Sequence, residues 1–195
     1  MLQGAGKDAS QEKCEAQSMN FARVWAMPNS DTFDILPIGE LVKRYLRVSK
    51  VSIDPFARNK RWATYTNDLN PNTAAEYHLD VKEFLATLWY KSIRADLVIF
   101  DPPYSPRQIK ECYESIGVKM GALDAMRTNW QPERDLINDI LEVGGIVISC
   151  GWNSMGMGKK RPFWFVEGLM VCHGVGHNDT IVMVEKKHDH QASLI

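Results

Sequence analysis

The residues with the clearest chemical potential are Asp101-Pro102-Pro103-Tyr104, which directly follow the apolar run of residues 97–100. A continuous apolar run is typical of a strand that is covered on both faces of a parallel sheet. Two prolines cannot continue the hydrogen-bond ladder, so the strand must end there. Ligands of open α/β sheets bind just beyond the carboxyl ends of the strands. At that place, a carboxylate and a proline carbonyl could accept both N–H bonds of an amine, and Tyr104 offers a flat face to an aromatic ring.

This tip resembles the (D/N/S)PPY motif of the amino-methyltransferases that use S-adenosylmethionine, and its Asp form is typical of the DNA adenine-N6 family. The resemblance implies that Asp101, Pro102, Pro103 and Tyr104 are catalytic. An exocyclic amine is a poor nucleophile because its lone pair is delocalised into the ring. Hydrogen bonds that favour a more tetrahedral nitrogen would stabilise the transition state.

Four other stretches resemble the ordered cofactor motifs of the same family. Residues 54–57 resemble the start of its first motif, DPFxGxG, and residues 68–71 resemble the second, whose acidic residue binds the ribose hydroxyls. Asp80 resembles the third motif, near the cofactor adenine, and residues 32–37 resemble the motif that precedes the first strand. The resemblance implies S-adenosyl-L-methionine as the cofactor. Its expected ligands are Thr32, Phe33, Pro37, Asp54, Pro55, Phe56, Asp68, Asn70 and Asp80.

The residue types at these positions agree with that cofactor. S-adenosylmethionine carries a sulfonium, an amine and a diol, so carboxylates at strand ends suit it. Taken singly, each aspartate could equally be a turn residue or a helix N-cap. His173 and His177 have no evident third ligand, and we therefore expect no metal site.

The first motif departs from the family pattern, because Ala57 is followed by Arg58-Asn59-Lys60-Arg61-Trp62, without glycine. In relatives, glycines let the backbone approach the cofactor. The segment between Asp54 and Asp68 is also short for a parallel crossover, which needs about a dozen residues or more. We expect the first helix to be reduced to one turn or lost. Two interpretations stay open: retained cofactor binding, which the aspartates favour, or a degenerate member that binds weakly.

Apolar periodicity predicts the elements that position these motifs. Helices are expected over residues 37–46, 81–90 and 106–116, and another near Pro132. Strands are expected over residues 48–53, 63–67, 95–100, 146–150, 169–172 and 180–185. Residues 174–178 would join the last two strands as a hairpin, and residues 118–130 would form a loop. This order predicts an α/β, Rossmann-like methyltransferase fold with a mostly parallel sheet and a terminal antiparallel hairpin.

Length and composition set further limits. With 195 residues, we expect flexible tails over residues 1–20 and 188–195 and a single methyltransferase domain over residues 21–187. The cysteines are widely spaced, which argues against a zinc site and a disulfide framework. No apolar run reaches membrane-spanning length, so we expect no membrane partner and a cytoplasmic location, bacterial or in a phage-infected host.

A formal net charge of −1 means that any phosphate contacts must come from a local basic patch. Residues 155–164 combine Lys159, Lys160 and Arg161 with glycines and two aromatic residues. We predict these three cations and Arg107 as nucleic-acid contacts. The alternative is a solvated basic loop beside a core aromatic pair. Trp152 and Asn153, after the strand at 146–150, could line a base pocket.

Together these features predict methyl transfer from S-adenosylmethionine to the N6 amine of adenine in DNA, by an enzyme similar to small phage-type members of the family. An RNA base amino-methyltransferase is one alternative, because small ribosomal-RNA guanine-N2 enzymes share a related tip, and RNA is thus a possible partner. A degenerate, catalytically silent nucleic-acid-binding relative is the other.

Overall fold

The computed structural model describes residues 20–119, 130–174 and 176–189. Most of the expected tails over residues 1–20 and 188–195, most of the expected loop at 118–130, and Val175 in the hairpin turn lie outside the described residues. The strands are β1 (Asn20–Trp25), β2 (Ser52–Asp54), β3 (Tyr65–Thr66), β4 (Ala95–Phe100), β5 (Leu141–Gly151), β6 (Phe163–Cys172) and β7 (Thr180–Lys187). The helices are α1 (Leu36–Leu46), α2 (Val81–Tyr90), α3 (Pro106–Glu114) and α4 (Gln131–Ile140), and a short 3-10 helix covers Thr32–Asp34.

All these strands form one seven-stranded sheet in the order β1-β6-β7-β5-β4-β2-β3. The pairs from β3 through β2 and β4 to β5 are parallel. Strand β7 runs antiparallel to both of its neighbours, β5 and β6. The predicted α/β class, with a mostly parallel sheet and a terminal antiparallel hairpin, is confirmed.

Strand β4 lies inside the sheet and separates two hydrophobic cores. Leu97 and Ile99 pack into the core that α1 covers. Val98 and Phe100 point to the opposite face, into the core that α2 and α4 cover. Side chains alternate between the two faces of a strand, so a strand covered on both faces must be apolar at consecutive positions. This burial fixes where β4 ends and therefore where Asp101 lies.

Strand β2 is shorter than the sequence predicted, because the backbone N–H groups just before it bind a side chain instead of a neighbouring strand. The Asp96 carboxylate accepts hydrogen bonds from the backbone N–H groups of Lys50 and Val51. Strand β6 is longer than predicted and begins at Phe163. Phe163 and Trp164 therefore belong to the sheet, although the sequence had suggested that they end the basic loop.

Strand β1 is an addition to the predicted sheet. It pairs in parallel with β6 and forms one edge of the sheet. Its side chains are mostly exposed, so the sequence carries little burial pattern there.

No helix lies between β2 and β3 among the described residues, which cover this connection completely. Residues 55–64 form turns instead, with Ala57 N–H donating to the Asn67 carbonyl and Lys60 N–H donating to the Ala57 carbonyl. The expectation that the first helix is reduced or lost is confirmed. We name this segment the β2–β3 loop.

Helix α1 packs closely on the 3-10 helix at Gly39. A Cβ atom added at Gly39 would lie 2.4 Å from the Phe33 carbonyl oxygen. Replacing Gly by Ala inside a helix normally stabilises it by about 1 kcal/mol. Here we expect Gly39→Ala to lower the free energy of unfolding by about 1–3 kcal/mol, because backbone atoms must shift.

Urea denaturation measures this difference. Gly151→Ala is the matched control, since its added Cβ would meet no atom closer than 3.8 Å among those outside its chain neighbours. An increase in stability for Gly39→Ala would contradict the close approach of α1 to the 3-10 helix.

Candidate active site

The carboxyl ends of β3, β2, β4 and β5 lie along the same edge of the sheet, because these neighbouring strands are parallel. Asp54 ends β2, and Asp101 follows β4 directly. Asp68 lies two residues after β3, and Trp152 follows β5. The fold thus brings together four residues that are far apart in the sequence.

Asp101 lies in a small hydrogen-bonded cluster with Tyr104 and Thr32. The Tyr104 hydroxyl donates to the Asp101 carboxylate, and the Thr32 side chain hydrogen-bonds to both residues. Burial raises the pKa of Asp101, while the hydrogen bonds from Tyr104 and Thr32 and the charge of Arg58 oppose that rise. Burial and the Asp101 charge also raise the pKa of Tyr104 well above its usual value.

Local sequence fixes the turn that carries Tyr104. Ser105 is the N-cap of α3 and forms a capping box with Gln108. The Gln108 side chain also accepts the Tyr104 backbone N–H at 2.7 Å. The Tyr104 ring meets the Trp152 ring edge-on, with 5.6 Å between ring centres. Tyr104 and Trp152 therefore form an aromatic corner beside Asp101.

Asp54 is 1% exposed, and its carboxylate accepts a hydrogen bond from the Phe56 backbone N–H at 3.0 Å. Burial raises its pKa to about 8, and the charges of Asp101 and Asp68 add to the rise. The buried Cys150 thiol also has a raised pKa, because of its burial and the charges of Asp101 and Asp54. These buried carboxylates would bind a cation favourably, because a positive charge would compensate their mutual repulsion.

Asp68 connects the β2–β3 loop to the turn after β3. Its carboxylate accepts Arg58 N–H at 3.1 Å and Asn70 N–H at 2.8 Å. The Asn70 side chain in turn accepts Asn72 N–H at 2.9 Å. Both residues thus have turn-forming hydrogen bonds, and any ribose contact of Asp68 would share its oxygens with these backbone groups.

Asn67 is a positioning residue that the sequence analysis missed. It is 1% exposed. Its amide donates to the Pro55 and Leu79 carbonyls at 3.2 and 3.1 Å, and it accepts Leu79 N–H at 3.0 Å. It therefore joins three segments that resemble cofactor motifs. The available signal was an asparagine directly after a predicted buried strand, where an amide can pair with loop backbone.

Asp80 is the N-cap of α2 and accepts Lys82 N–H at 3.0 Å. Its second carboxylate oxygen accepts the Tyr113 hydroxyl at 2.8 Å, which ties α3 to α2. Asp80 is therefore a helix N-cap, which is one of the alternatives that the sequence left open for each aspartate. A cofactor contact by Asp80 stays a prediction.

The apolar residues that were predicted to bind the cofactor mostly pack against other side chains. Phe33 is 7% exposed and stacks on Trp62, while Phe56 contacts Phe100 and Trp130 edge-on. Pro55 is buried, and its carbonyl is the one that Asn67 binds. Pro37 lies in the first turn of α1 and lines a separate cavity of about 520 Å³ with Glu40, Arg44 and Glu167.

Arg58 aligns with the first glycine of the motif that residues 54–57 resemble, and its backbone conformation is one that favours glycine. Its φ angle is 49°, in the left-handed region that favours glycine. The Arg58 side chain pairs with Asp31 and donates to the Ser30 carbonyl at 2.7 Å. The sequence showed that Arg58 stands in place of this glycine, but not that Arg58 adopts the left-handed backbone conformation.

The predicted nucleic-acid contacts differ in their surroundings. Lys159 and Lys160 are exposed, and Arg107 is exposed at the start of α3 with an ion pair to Glu111. Arg161 is only 9% exposed. Its guanidinium binds Asp135 and the Met157 and Gln131 carbonyls. These contacts hold the loop against α4 and occupy the Arg161 guanidinium, which therefore has a structural role instead of the predicted phosphate contact.

Two further findings concern the described residues as a whole. No helix in this part of the chain has the length and apolarity needed to cross a membrane. No group of three or more histidine, cysteine or carboxylate side chains in it is arranged to hold a metal ion.

No family model and no curated protein matches this sequence. Solved structures do match its fold. SMU.776, a proposed methyltransferase crystallised with SAH, is 13% identical and superimposes with a TM-score of 0.52 over 75% of this chain and 48% of its own. TrmN from Thermus thermophilus is 13% identical, with a TM-score of 0.50 over 77% of this chain and 48% of its own.

NSun6 from Pyrococcus horikoshii, crystallised with SFG, is 12% identical, with a TM-score of 0.50 over 75% of this chain and 50% of its own. The chain thus spans about half the length of these structures. At such low identity, the likeness concerns the fold. It assigns the chain to the Rossmann-like methyltransferase fold class.

Arg58 allows a direct test of the backbone strain. Arg58→Gly and Arg58→Ala both lose the ion pair with Asp31, but only alanine keeps the cost of a left-handed backbone. We expect the glycine variant to be more stable than the alanine variant by about 1 kcal/mol. Thermal or urea unfolding of the two variants measures this difference, and equal stabilities would contradict the φ angle at Arg58.

Asp54 should make folding stability depend on pH. The folded protein holds the Asp54 proton up to about pH 8, whereas an unfolded aspartate releases it near pH 4. The stabilising effect of the protonated state is therefore complete below pH 4 and is lost as the pH rises through 8.

The variant Asp54→Asn removes this titration and keeps an oxygen that can accept Phe56 N–H. Its stability should rise relative to the parent protein by at most about 1.4 kcal/mol per pH unit between pH 4 and 8, and stay constant above. Urea unfolding of both proteins at each pH provides the measurement. A difference that does not change with pH would show that Asp54 titrates normally.

Proposed function

We propose that this protein transfers a methyl group from S-adenosylmethionine to the N6 amine of adenine in DNA. One observation carries the proposal: Asp101 and Pro102 directly follow strand β4, and Asp101 lies in the cluster with Thr32 and Tyr104, beside Asp54 and Trp152. The resemblance to the Asp form of the amino-methyltransferase motif supports adenine as the base. The methyltransferase fold of the matched structures supports the reaction class.

The buried carboxylates fit this cofactor. Asp54 is buried beside the charges of Asp101 and Asp68, and no cationic side chain forms an ion pair with it among the described residues. A sulfonium and an ammonium group would supply the missing positive charge, and they would lower the pKa of Asp54 again. When bound, S-adenosylmethionine supplies an electrophilic methyl group. Asp54, Asp68 and Asp80, with Thr32, Phe33, Pro37, Pro55, Phe56 and Asn70, are the residues proposed to hold it.

The chain's own groups would orient the amine. The Asp101 carboxylate and the Pro102 carbonyl would accept its two N–H bonds, which leaves the nitrogen lone pair directed away from them. The Tyr104 hydroxyl holds the same carboxylate, so an entering amine would compete with Tyr104 for Asp101. The raised pKa of Asp101 suits this carboxylate to take the proton that the amine must release.

The aromatic corner of Tyr104 and Trp152 would receive the base. A base inside a duplex must first leave the stack before it can reach such a site. Lys159 and Lys160 in the basic loop, and Arg107 on α3, are exposed and are proposed phosphate contacts.

The decisive experiment replaces Asp101 by alanine. We expect methyl transfer to adenine-containing DNA to be lost, with a fall in rate on the order of a hundredfold or more, while S-adenosylmethionine still binds. Nucleoside mass spectrometry measures N6-methyladenine, and titration calorimetry measures cofactor binding. Asp139→Asn, an exposed change of an aspartate on α4, is the control and should retain full activity.

The outcomes separate the alternatives. Undiminished transfer by Asp101→Ala would refute the catalytic role of this tip. Methylation confined to RNA, or to cytosine N4, would refute DNA adenine as the substrate. Absence of cofactor binding to the parent protein up to millimolar concentration would favour the catalytically silent relative.

A further inference from the structure

The β2–β3 loop is cationic where the family's first motif carries glycines. Two of its cations are already neutralised, because Arg58 pairs with Asp31 and Lys60 pairs with Asp34. Arg61 is exposed and has no ion pair within the described ranges. Trp62 follows it and is partly exposed. The loop therefore presents a free cation next to an aromatic ring.

Helix α1 adds further cations around the same ring. The Lys43 ammonium lies 4.7 Å from the centre of the Trp62 ring, and the Lys60 ammonium lies 5.5 Å from it. Lys43, Leu46, Arg47 and Trp62 line an open depression of about 310 Å³. Two ammonium groups that converge on one indole ring repel each other unless anions lie nearby.

Carboxylates close to this depression leave part of its charge uncompensated. Asp34 is bound to Lys60. Glu40 lines the separate cavity near Pro37, in which Arg44 pairs with Glu167. Lys43 and Arg47 are exposed and take part in no ion pair that involves described residues. In a chain of net charge −1, this is a local concentration of positive charge.

The depression is joined to the proposed active site by the 3-10 helix. Thr32 hydrogen-bonds to Asp101. The next residue, Phe33, stacks on Trp62 with 6.0 Å between ring centres, and Asp34 binds Lys60. Three consecutive residues thus connect the catalytic carboxylate to the cationic surface.

We infer that Lys43, Arg47 and Arg61, grouped around Trp62, form a surface that binds the phosphodiester backbone of the nucleic-acid strand beside the target base. We name these four residues the Trp62 patch. The inference rests on the proposed function and adds a contact surface that neither the basic loop at 155–162 nor Arg107 provides. Phosphates fit here because they are regularly spaced anions, and the patch offers exposed cations without base-reading partners.

The test measures binding of fluorescein-labelled oligonucleotides by anisotropy over a series of salt concentrations. Single-stranded DNA, duplex DNA and RNA of the same sequence serve as separate probes. The variant Lys43→Ala/Arg47→Ala/Arg61→Ala should bind on the order of tenfold or more weakly, and its salt slope should fall by about 2–3 units, since each phosphate contact contributes about 0.7–0.9. Arg61→Ala alone should lower the slope by about one unit.

The control variant Lys91→Ala/Arg94→Ala/Lys186→Ala removes the same charge. Lys91 and Arg94 follow α2, which packs on the core opposite to the one that α1 covers, and none of the three residues lines the depression around Trp62. This variant should keep the parent salt slope. Cofactor affinity, measured by calorimetry, should be the same in the parent protein and in both triple variants.

The results distinguish this surface from the proposed function. An unchanged salt slope in the Trp62 patch variant, with methyl transfer intact in the parent protein, would overturn the patch and leave the function standing. A smaller salt slope in the patch variant, together with no methyl transfer by the parent protein, would support the patch and refute the proposed function. A parent protein that binds none of the three probes, or a control variant that loses as much slope as the patch variant, would overturn the inference.

Discussion

The burial of two carboxylates at the ends of adjacent strands is the constraint on which the rest of the site depends. Burial raises the pKa of both Asp54 and Asp101, and the charge of Asp101 raises the pKa of Asp54 further. The neighbouring groups partly offset this rise: Phe56 N–H binds Asp54, while Tyr104 and Thr32 bind Asp101. The remaining negative potential is what a cationic cofactor would relieve. Electrostatics thus links the packing of β2 and β4 to the proposed chemistry.

The β2–β3 loop connects two parallel strands without a helix. The motif that residues 54–57 resemble has glycines in this loop, and this chain has none there. Arg58 nevertheless keeps a left-handed backbone, and its N–H binds Asp68. The buried Asn67 amide then fixes the loop to the segment before α2. Side-chain hydrogen bonds therefore hold a backbone path that a helix would otherwise support.

Cations at the surface have two distinct roles in this protein. Arg161 is adjacent to Lys160 in sequence, yet it is buried and binds backbone carbonyls between the basic loop and α4. Lys43 lies in the last turn of α1 and Arg47 is its C-cap, and both stay exposed beside Trp62. A basic run in sequence does not reveal which of its members face solvent, whereas burial and partners do. This distinction moves the emphasis of the proposed nucleic-acid contacts from Arg161 toward the Trp62 patch.

The sequence by itself determined the fold class, the position of β4 and the loss of the first helix. Each follows from a local rule: an apolar run covered on both faces, a Pro-Pro stop, and a connection too short for a helical crossover. Helix α2 and strand β4 were predicted with their observed bounds, because their apolar spacing is undisturbed. Only the tertiary structure decided that β1 joins the sheet, that β6 starts at Phe163, and that Asn67 organises the loops. These features depend on partners distant in sequence, and a one-dimensional pattern contains no record of which distant groups will satisfy a backbone or a buried charge.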